Sequence, residues 1–334
     1  MIATPSFWYQ QKTISEVLLK VALMPLGWAY GWLVRKKFDL YFPVPMSKPV
    51  ICVGNLVAGG AGKTPVVLSL AELLLEKGYN PHLLTRGYGG KESGPLQVSP
   101  GRDTTYDVGD EALLLVDKAP TWVSANRPLG AQEAMDSGAN IIIMDDGFQN
   151  SVIYKDFSFL VIDGIVGLGN KQVMPAGPLR EGLKFGLSRA DAVVVIGEDK
   201  TGAADYIRRL MTVPILHAAL VADGNNPDVE GKKVFAFAGI GRPQKFRETL
   251  EAAGAVVEGW KEFPDHFPYD DEDLKEFMAA ADAAGDVLLT TAKDYVRIPD
   301  GVRQKIQKFS VHLVWQNPSE IVPLIEQALQ KRMT

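Results

Sequence analysis

The segment Gly-Asn-Leu-Val-Ala-Gly-Gly-Ala-Gly-Lys-Thr (54–64) constrains this chain more than any other stretch. An apolar run, Val50–Val53, precedes it, and a segment of helical periodicity follows over Pro65–Lys77. There Val66, Val67, Leu70, Leu73 and Leu74 share one face and Gly78 supplies a stop. A strand that turns through glycines into a helix start aims several backbone N–H groups and the positive helix end at one point, which suits phosphate oxygens. In this reading Val57, Ala58, Gly59, Gly60, Ala61 and Gly62 form the cradle, and Lys63 pairs with β- and γ-phosphate oxygens. The Thr64 hydroxyl ligates Mg²⁺. The common spacing puts a first glycine where this chain has Val57, so Gly59 and Gly60 are expected to supply the conformational freedom.

A phosphate loop needs an acidic partner for the metal. Ile141–Met144 reads as a buried strand and ends in Asp145 and Asp146, followed by Gly147, Phe148 and Gln149. An apolar strand that ends in carboxylates is the usual second half of a Mg–nucleotide site, and Asp145 and Asp146 are the expected ligands with Thr64.

The rest of the chain alternates apolar runs with helical stretches, which predicts an α/β fold with mostly parallel strands. Further strands are expected at His82–Thr85, Thr121–Ser124, Phe159–Ile162 and Ala192–Ile196, and helices at Glu111–Asp117 and Arg127–Asp136. The polar, turn-rich stretch Ala222–Lys233 reads as a linker. Strands at Val234–Ala238, Val287–Thr290 and Val311–Val314 then read as a second, smaller α/β unit, with a closing helix at Pro318–Lys331. At 334 residues, roughly two domains are expected. The division is 1–47 for an N-terminal helical segment, 48–221 for the phosphate-loop core and 222–334 for the smaller unit. One cysteine, Cys52, excludes a disulfide scaffold and a thiolate zinc site, and the four histidines lack metal-ligand spacing. A net charge of −5 lacks the basic footprint of a nucleic-acid binder.

That charge is unevenly spread. Residues 1–40 carry Lys12, Lys20, Arg35, Lys36 and Lys37 against Glu16 and Asp39, a net of +3, which leaves −8 for the remainder. The same segment holds an uncharged run from Val21 to Val34 with Trp28, Tyr30 and Trp32, interrupted by Pro25 and Gly27. As a helix this run spans about 21 Å, short of the ~30 Å hydrocarbon core. Two readings stand. One is an interfacial membrane anchor with a basic end on anionic lipid; the other is an amphipathic helix packed on the protein's own core. A cleaved leader is not expected, because the run starts late and no small-residue cleavage site follows.

Seven blocks in order carry a resemblance. They are 54–65, Thr-Arg-Gly-Tyr-Gly-Gly (85–90), Val-Gly-Asp-Glu-Ala (108–112), Asp-Asp-Gly-Phe-Gln (145–149), Pro-Ala-Gly-Pro-Leu-Arg-Glu (175–181), Arg-Ala-Asp-Ala (189–192) and Thr-Ala-Lys-Asp (291–294). The chain resembles the tetraacyldisaccharide 4′-kinases of lipid A biosynthesis over most of its length. The resemblance implies an ATP- and Mg²⁺-dependent phosphotransferase acting on the 4′-hydroxyl of a tetraacylated glucosamine disaccharide 1-phosphate. It implies work at the cytoplasmic face of a bacterial inner membrane, with residues 1–40 on the lipid surface. A monomer is expected.

Asp110, at a predicted helix start, reads from the residues alone as either an N-cap or a general base; the resemblance favours the base. It pairs Asp110 with His266, which lies between Pro264 and Pro268, and the two are expected to meet across an interdomain cleft. Lys63 is the third catalytic candidate. The resemblance further implies Glu111, Arg86, Arg127, Gln149 and Arg180 as substrate contacts, with Tyr88, Lys184 and Arg189 near them. Two positions depart from the family's usual residues. Ala292 stands where Glu is common, which leaves the part of Lys293 and Asp294 open. Gly182 stands where Pro is common, which predicts a looser loop after Glu181. The competing expectation is a membrane-associated phosphate-loop ATPase switch.

Overall fold

The computed structural model describes residues 5–10 and 13–333; Lys12, counted above in the basic start, lies outside them. Among the described residues two sheets form. The first holds nine strands in the order β13-β8-β7-β6-β1-β5-β2-β4-β3, and the second four in the order β10-β9-β11-β12. In chain order the strands of the large sheet are β1 (Val50–Gly54), β2 (Pro81–Thr85), β3 (Leu96–Gln97), β4 (Thr121–Val123), β5 (Ile141–Asp145), β6 (Phe157–Asp163), β7 (Ala192–Ile196) and β8 (Ile215–Ala222). The small sheet takes β9 (Lys233–Ala238), β10 (Val256–Glu262), β11 (Val287–Thr291) and β12 (Gln307–Phe309); β13 (Val311–Trp315), the ninth strand of the large sheet, follows.

The pairs β1 with β5 and β6, β2 with β4 and β5, and β7 with β6 and β8 are all parallel. Every residue of β1, β2, β5, β6 and β7 is buried. Helices cover both faces of such a sheet, so its strands read as unbroken apolar runs rather than alternations. The runs Val50–Val53, Ile141–Met144 and Ala192–Ile196 were legible for that reason.

The strand at 311–315 corrects the expectation. It was read as part of the smaller unit, yet it pairs antiparallel with β8, with Leu313 opposite Leu220, at the edge of the large sheet. Leu313 and Trp315 alternate with outward His312 and Val314 and join the large sheet's core, and Trp315 Nε1 donates to Ser69 Oγ at 2.9 Å. The helix Ile321–Met333 follows it there through Ile321 and Ile325. Alternation reports that a strand is one-sided; it does not report its neighbour. The chain therefore crosses between the sheets twice, after β8 and before β13. The crossings are stitched together: Asn226 Nδ2 donates to the Ser310 carbonyl at 2.8 Å, and Ser310 N donates to Asn226 Oδ1 at 2.7 Å.

The N-terminal helix α1 (Ile14–Leu40) starts with a capping box between Thr13 and Glu16 and runs unbroken through Pro25. Its 27 residues amount to about 40 Å. It is long and apolar enough to cross a membrane by length and composition. The helix is thus longer than the uncharged run counted above, and it reaches that length by including Glu16 and Lys20 at one end and Arg35, Lys36, Lys37 and Asp39 at the other. A narrow side rests on the segment 173–189. Gly27 is buried there, and a Cβ on it would lie 2.7 Å from the Val173 carbonyl oxygen. Phe38 meets Phe185 edge to face at 5.4 Å. The rest of the circumference, with Leu18, Leu26, Trp28, Trp32 and Leu33, points away from the protein, each more than half exposed.

Candidate active site

The turn after β1 leads into α2 (Lys63–Glu76), whose N-cap Gly62 has φ +86°. Gly59, at φ +111°, takes the other left-handed position of the turn. Val57 needs no such freedom. It pairs as an isolated bridge with Leu179, Ala58 N donates to the Pro178 carbonyl at 2.8 Å, and Arg180 N donates to the Leu56 carbonyl at 2.7 Å. The block 175–181 is thus strapped along the outside of the loop, which explains a valine where flexible turns carry glycine. Asn55 braces the loop from within: its Nδ2 donates to the carbonyls of Val57 at 2.7 Å and Gly59 at 3.3 Å.

Below the loop, Lys63 Nζ lies 3.5 Å from Asn55 Oδ1 and 3.5 Å from Asp146 Oδ1. Thr64 Oγ1 donates to Asp145 Oδ2 at 3.4 Å. Asp145 is 1% exposed, and its Oδ1 has no hydrogen-bond partner. Burial pushes its carboxyl up to about 7, Glu111 adds to the rise, and Lys63 opposes it. Asp146 goes the other way: burial alone would raise it, but Lys63 and Arg180 outweigh that and hold it below the usual carboxylate range. Arg180 Nη1 reaches both carboxylate oxygens of Asp146, at 3.1 and 3.2 Å.

Gln149 ties the pieces together. Its Nε2 donates to the Asn55 carbonyl and to Glu181 Oε1, both at 2.9 Å. Glu181 is fully buried and paired with Arg189. The Arg189 guanidinium stacks 4.0 Å from the Phe38 ring centre of α1 and 4.6 Å from that of Phe148. Arg189, placed above near the expected substrate contacts, is thus committed to holding α1 and the strap, whereas Lys184 is exposed. Gly182, where a looser loop is expected, leads directly into a short helix. Its φ of −61° is one that proline would also adopt, and it caps the helix Leu183–Leu187. Arg127 is buried, its guanidinium pushed down to about 10 by burial and by the neighbouring charge of exposed Arg86.

The second cluster forms where the sheets face each other. Gly109, at φ +81°, turns the chain into the helix Asp110–Leu115; a Cβ there would lie 2.4 Å from the Tyr88 carbonyl oxygen. Asp110 is buried, and its Oδ2 lies 2.9 Å from Nδ1 of His266, which follows Asp265 on the small-sheet side. His266 holds a left-handed φ of +58°, and its ring meets Tyr88 at 5.4 Å. Burial would raise the Asp110 carboxyl, but the hydrogen bond with His266 and the charges of Lys293 and Arg297 hold it below its ordinary value. Arg297 Nε lies 3.4 Å from Asp110 Oδ2. Lys293 Nζ lies 3.9 Å from Glu111 Oε1, and Gly241 would bring a Cβ within 3.4 Å of Gly60 N. The loop, Asp145, Glu111 and the Asp110–His266 pair thus form one continuous site.

Sequence reasoning missed Arg297 and Asp265 and left Lys293 open. It also missed a clamp behind the loop, where Arg242 Nη1 and Lys245 Nζ reach the two oxygens of buried Asp163 at 3.0 and 3.1 Å. The Lys-Asp block at 293–294 was the one signal available. None of the others carries a local pattern.

An ionised carboxylate held by an imidazole, close to a phosphate cradle with its own acidic strand end, equips a phosphate-loop phosphotransferase rather than a bare nucleotide switch. Comparison with known proteins agrees. The family model for tetraacyldisaccharide-1-P 4′-kinase matches residues 19–334. Tetraacyldisaccharide 4′-kinase of Paramagnetospirillum magneticum is 49% identical over 322 residues, covering 96% of this chain and 97% of that protein. The Rhodospirillum centenum enzyme is 46% identical, covering 96% and 95%. The crystal structure of LpxK from Aquifex aeolicus in complex with ATP superposes with a TM-score of 0.73 at 27% identity, covering 93% of this chain and 99% of that one. The chain belongs to the tetraacyldisaccharide-1-P 4′-kinase family.

Proposed function

We propose that this protein transfers the γ-phosphate of ATP to the 4′-hydroxyl of a tetraacylated glucosamine disaccharide 1-phosphate, at a membrane surface. The observation that carries the reading is the buried Asp110–His266 pair beside the phosphate loop. A sugar hydroxyl is barely acidic, so it needs a base as the phosphoryl group arrives, and phosphoryl transfer otherwise depends on positioning and charge. Asp110 stays ionised under the charges around it and accepts that proton. His266 orients the carboxylate, and Lys63 holds the transferring phosphoryl group. A cavity of about 320 Å³ adjoins the loop between Ala58–Ala61, the end of β6 and Gly241–Arg242, and gives the nucleoside a place.

Thr64 and Asp145 suit Mg²⁺. The unpartnered Oδ1 of Asp145 is an oxygen left free for a ligand, and Mg²⁺ in nucleotide sites takes one or two protein oxygens besides phosphate and water. The ion, when bound, neutralises charge on the β- and γ-phosphates.

The apolar arc of α1, with Arg35, Lys36 and Lys37 at its end, seats the protein on the bilayer that holds the acyl chains. The same helix rests on the strap that carries Arg180, so acceptor and phosphate loop meet near the lipid surface. Incubation with γ-labelled ATP, Mg²⁺ and the disaccharide acceptor in mixed micelles tests the reading. Label in the lipid is the expected result. Label only in free phosphate, unchanged by the acceptor, would replace it with the ATPase switch.

A further inference from the structure

Lys293 has four polar neighbours and so far figures only as one of the charges around Asp110. Its Nζ lies 3.2 Å from His266 Nε2, 4.0 Å from Asp110 Oδ2, 3.9 Å from Glu111 Oε1 and 3.9 Å from Asp265 Oδ1. It projects from the short helix Ala292–Tyr295, and the next residue fixes that helix. Asp294 is fully buried; its carboxylate accepts from Gly239 N at 2.9 Å, Tyr269 Oη at 2.7 Å, Thr291 Oγ1 at 2.6 Å and Arg297 Nη2 at 2.8 Å. The lysine thus stands on a scaffold with little freedom to relax.

We propose that Lys293 is a positioning residue, whose ammonium commits His266 to the tautomer that offers Nδ1–H to Asp110. The inference rests on the reading of Asp110 and His266 as the working pair. A neutral imidazole has one N–H and one lone pair, whereas an ammonium has donors only. With Lys293 on Nε2, that nitrogen must accept, so the ring proton sits on Nδ1 and points at the carboxylate. A doubly protonated ring would set Nε2–H against the ammonium at 3.2 Å, an arrangement that repels. The lysine therefore keeps Nε2 an acceptor and Nδ1–H on the Asp110 carboxylate, which is left to take the proton of the acceptor hydroxyl.

The charged and titratable groups facing the ring are Asp110 from the large-sheet side, Asp265 beside it and Lys293 behind, with Arg297 on the far side of the Asp110 carboxylate. The ring of Tyr88 packs on its edge. Removing Lys293 leaves the carboxylates and Arg297. The imidazole then loses its tautomer lock, and Asp110 loses one of the charges that hold it ionised.

The test compares Lys293→Met and Lys293→Arg with the native chain, and uses Asp110→Asn and His266→Ala as controls. In full-length protein in detergent, ¹⁵N shifts of the His266 ring are expected to show a single Nδ1–H tautomer, which Lys293→Met converts to a mixture. In the transfer assay Lys293→Met is expected to lower kcat about 10–100-fold, on the scale of a misplaced catalytic group. KM for ATP should change little, and the acid limb of the kcat profile should move to higher pH. Lys293→Arg, which keeps the donor and the charge, is expected to restore the tautomer and part of kcat. Native kcat and an unchanged tautomer in a folded Lys293→Met protein would overturn the proposal, while loss of activity in the two controls would leave the Asp110–His266 reading standing. Full activity in both controls would overturn that reading itself.

Discussion

His266 Nδ1 lies 2.9 Å from Asp110 Oδ2, although 156 residues separate them. The contact joins a helix start on the large sheet to a loop on the small one. The site is therefore complete only when both units are in place. Asp110→Asn and His266→Ala should each lower kcat of lipid phosphorylation by about 10²–10⁴, the usual worth of positioned proton transfer. Residues that act as one unit are non-additive, so the double variant should be little worse than Asp110→Asn alone. Single-turnover transfer with labelled ATP measures this; multiplicative losses would mean that the two act separately.

Asp145 is held at a cost. Its folded carboxyl is raised to about 7, so the cost is absent near the ordinary carboxylate value of about 3.9, grows as pH rises between the two, and is complete above 7. Without nucleotide, Asp145→Asn should therefore raise Tm at pH 8 more than at pH 5. A gain of about 1 kcal/mol corresponds to roughly 2 °C in a chain of this size. The same variant should lose lipid phosphorylation. In the native protein, activity should need more Mg²⁺ as pH falls below 7, because protons compete for the ligand. Parallel Mg²⁺ titrations at pH 6 and pH 8 read this directly.

Asp163 clamps the small-sheet unit through Arg242 and Lys245. Burial would raise its carboxyl, but the two cations outweigh that and hold it low. Its stabilisation is thus present above the unfolded carboxylate value and is lost as pH falls through the lower folded one. Breaking a fully buried pair by removing one partner costs about 3–5 kcal/mol; the cations left here are 26% and 28% exposed, so Asp163→Asn should cost less. In Asp163→Asn, limited proteolysis within 223–232 should quicken, and KM for ATP should rise. Native cleavage rates would show that the crossings alone hold the two units.

The outward arc of α1 should carry lipid binding. Trp28→Glu with Trp32→Glu puts two charges on the solvent-exposed side of the helix, so folding should be spared. Each charge moved towards the bilayer centre costs about 2.5–3.5 kcal/mol. Flotation with anionic vesicles should lose the double variant. A water-soluble, short-chain acceptor should still be phosphorylated at near-native rate.

Much of this molecule was legible in consecutive residues. The loop at 54–64 and the acidic end of β5 could be read because a strand, a turn and a helix start are local objects, set by backbone preference and apolar period. The buried runs of the parallel sheet were legible for the same reason. Val57 was legible as a departure but not as a solution, because its partner Leu179 lies far along the chain.

The sequence by itself determined the phosphate cradle, the class of fold, the Asp145–Asp146 pair and, through resemblance, the family. The tertiary structure decided which sheet received Val311–Trp315, which side of α1 stays open, and which cations surround Asp110. Those outcomes turn on contacts between residues far apart in the chain. Periodicity and local preference carry no information about them until the burial of apolar faces has chosen which surfaces meet.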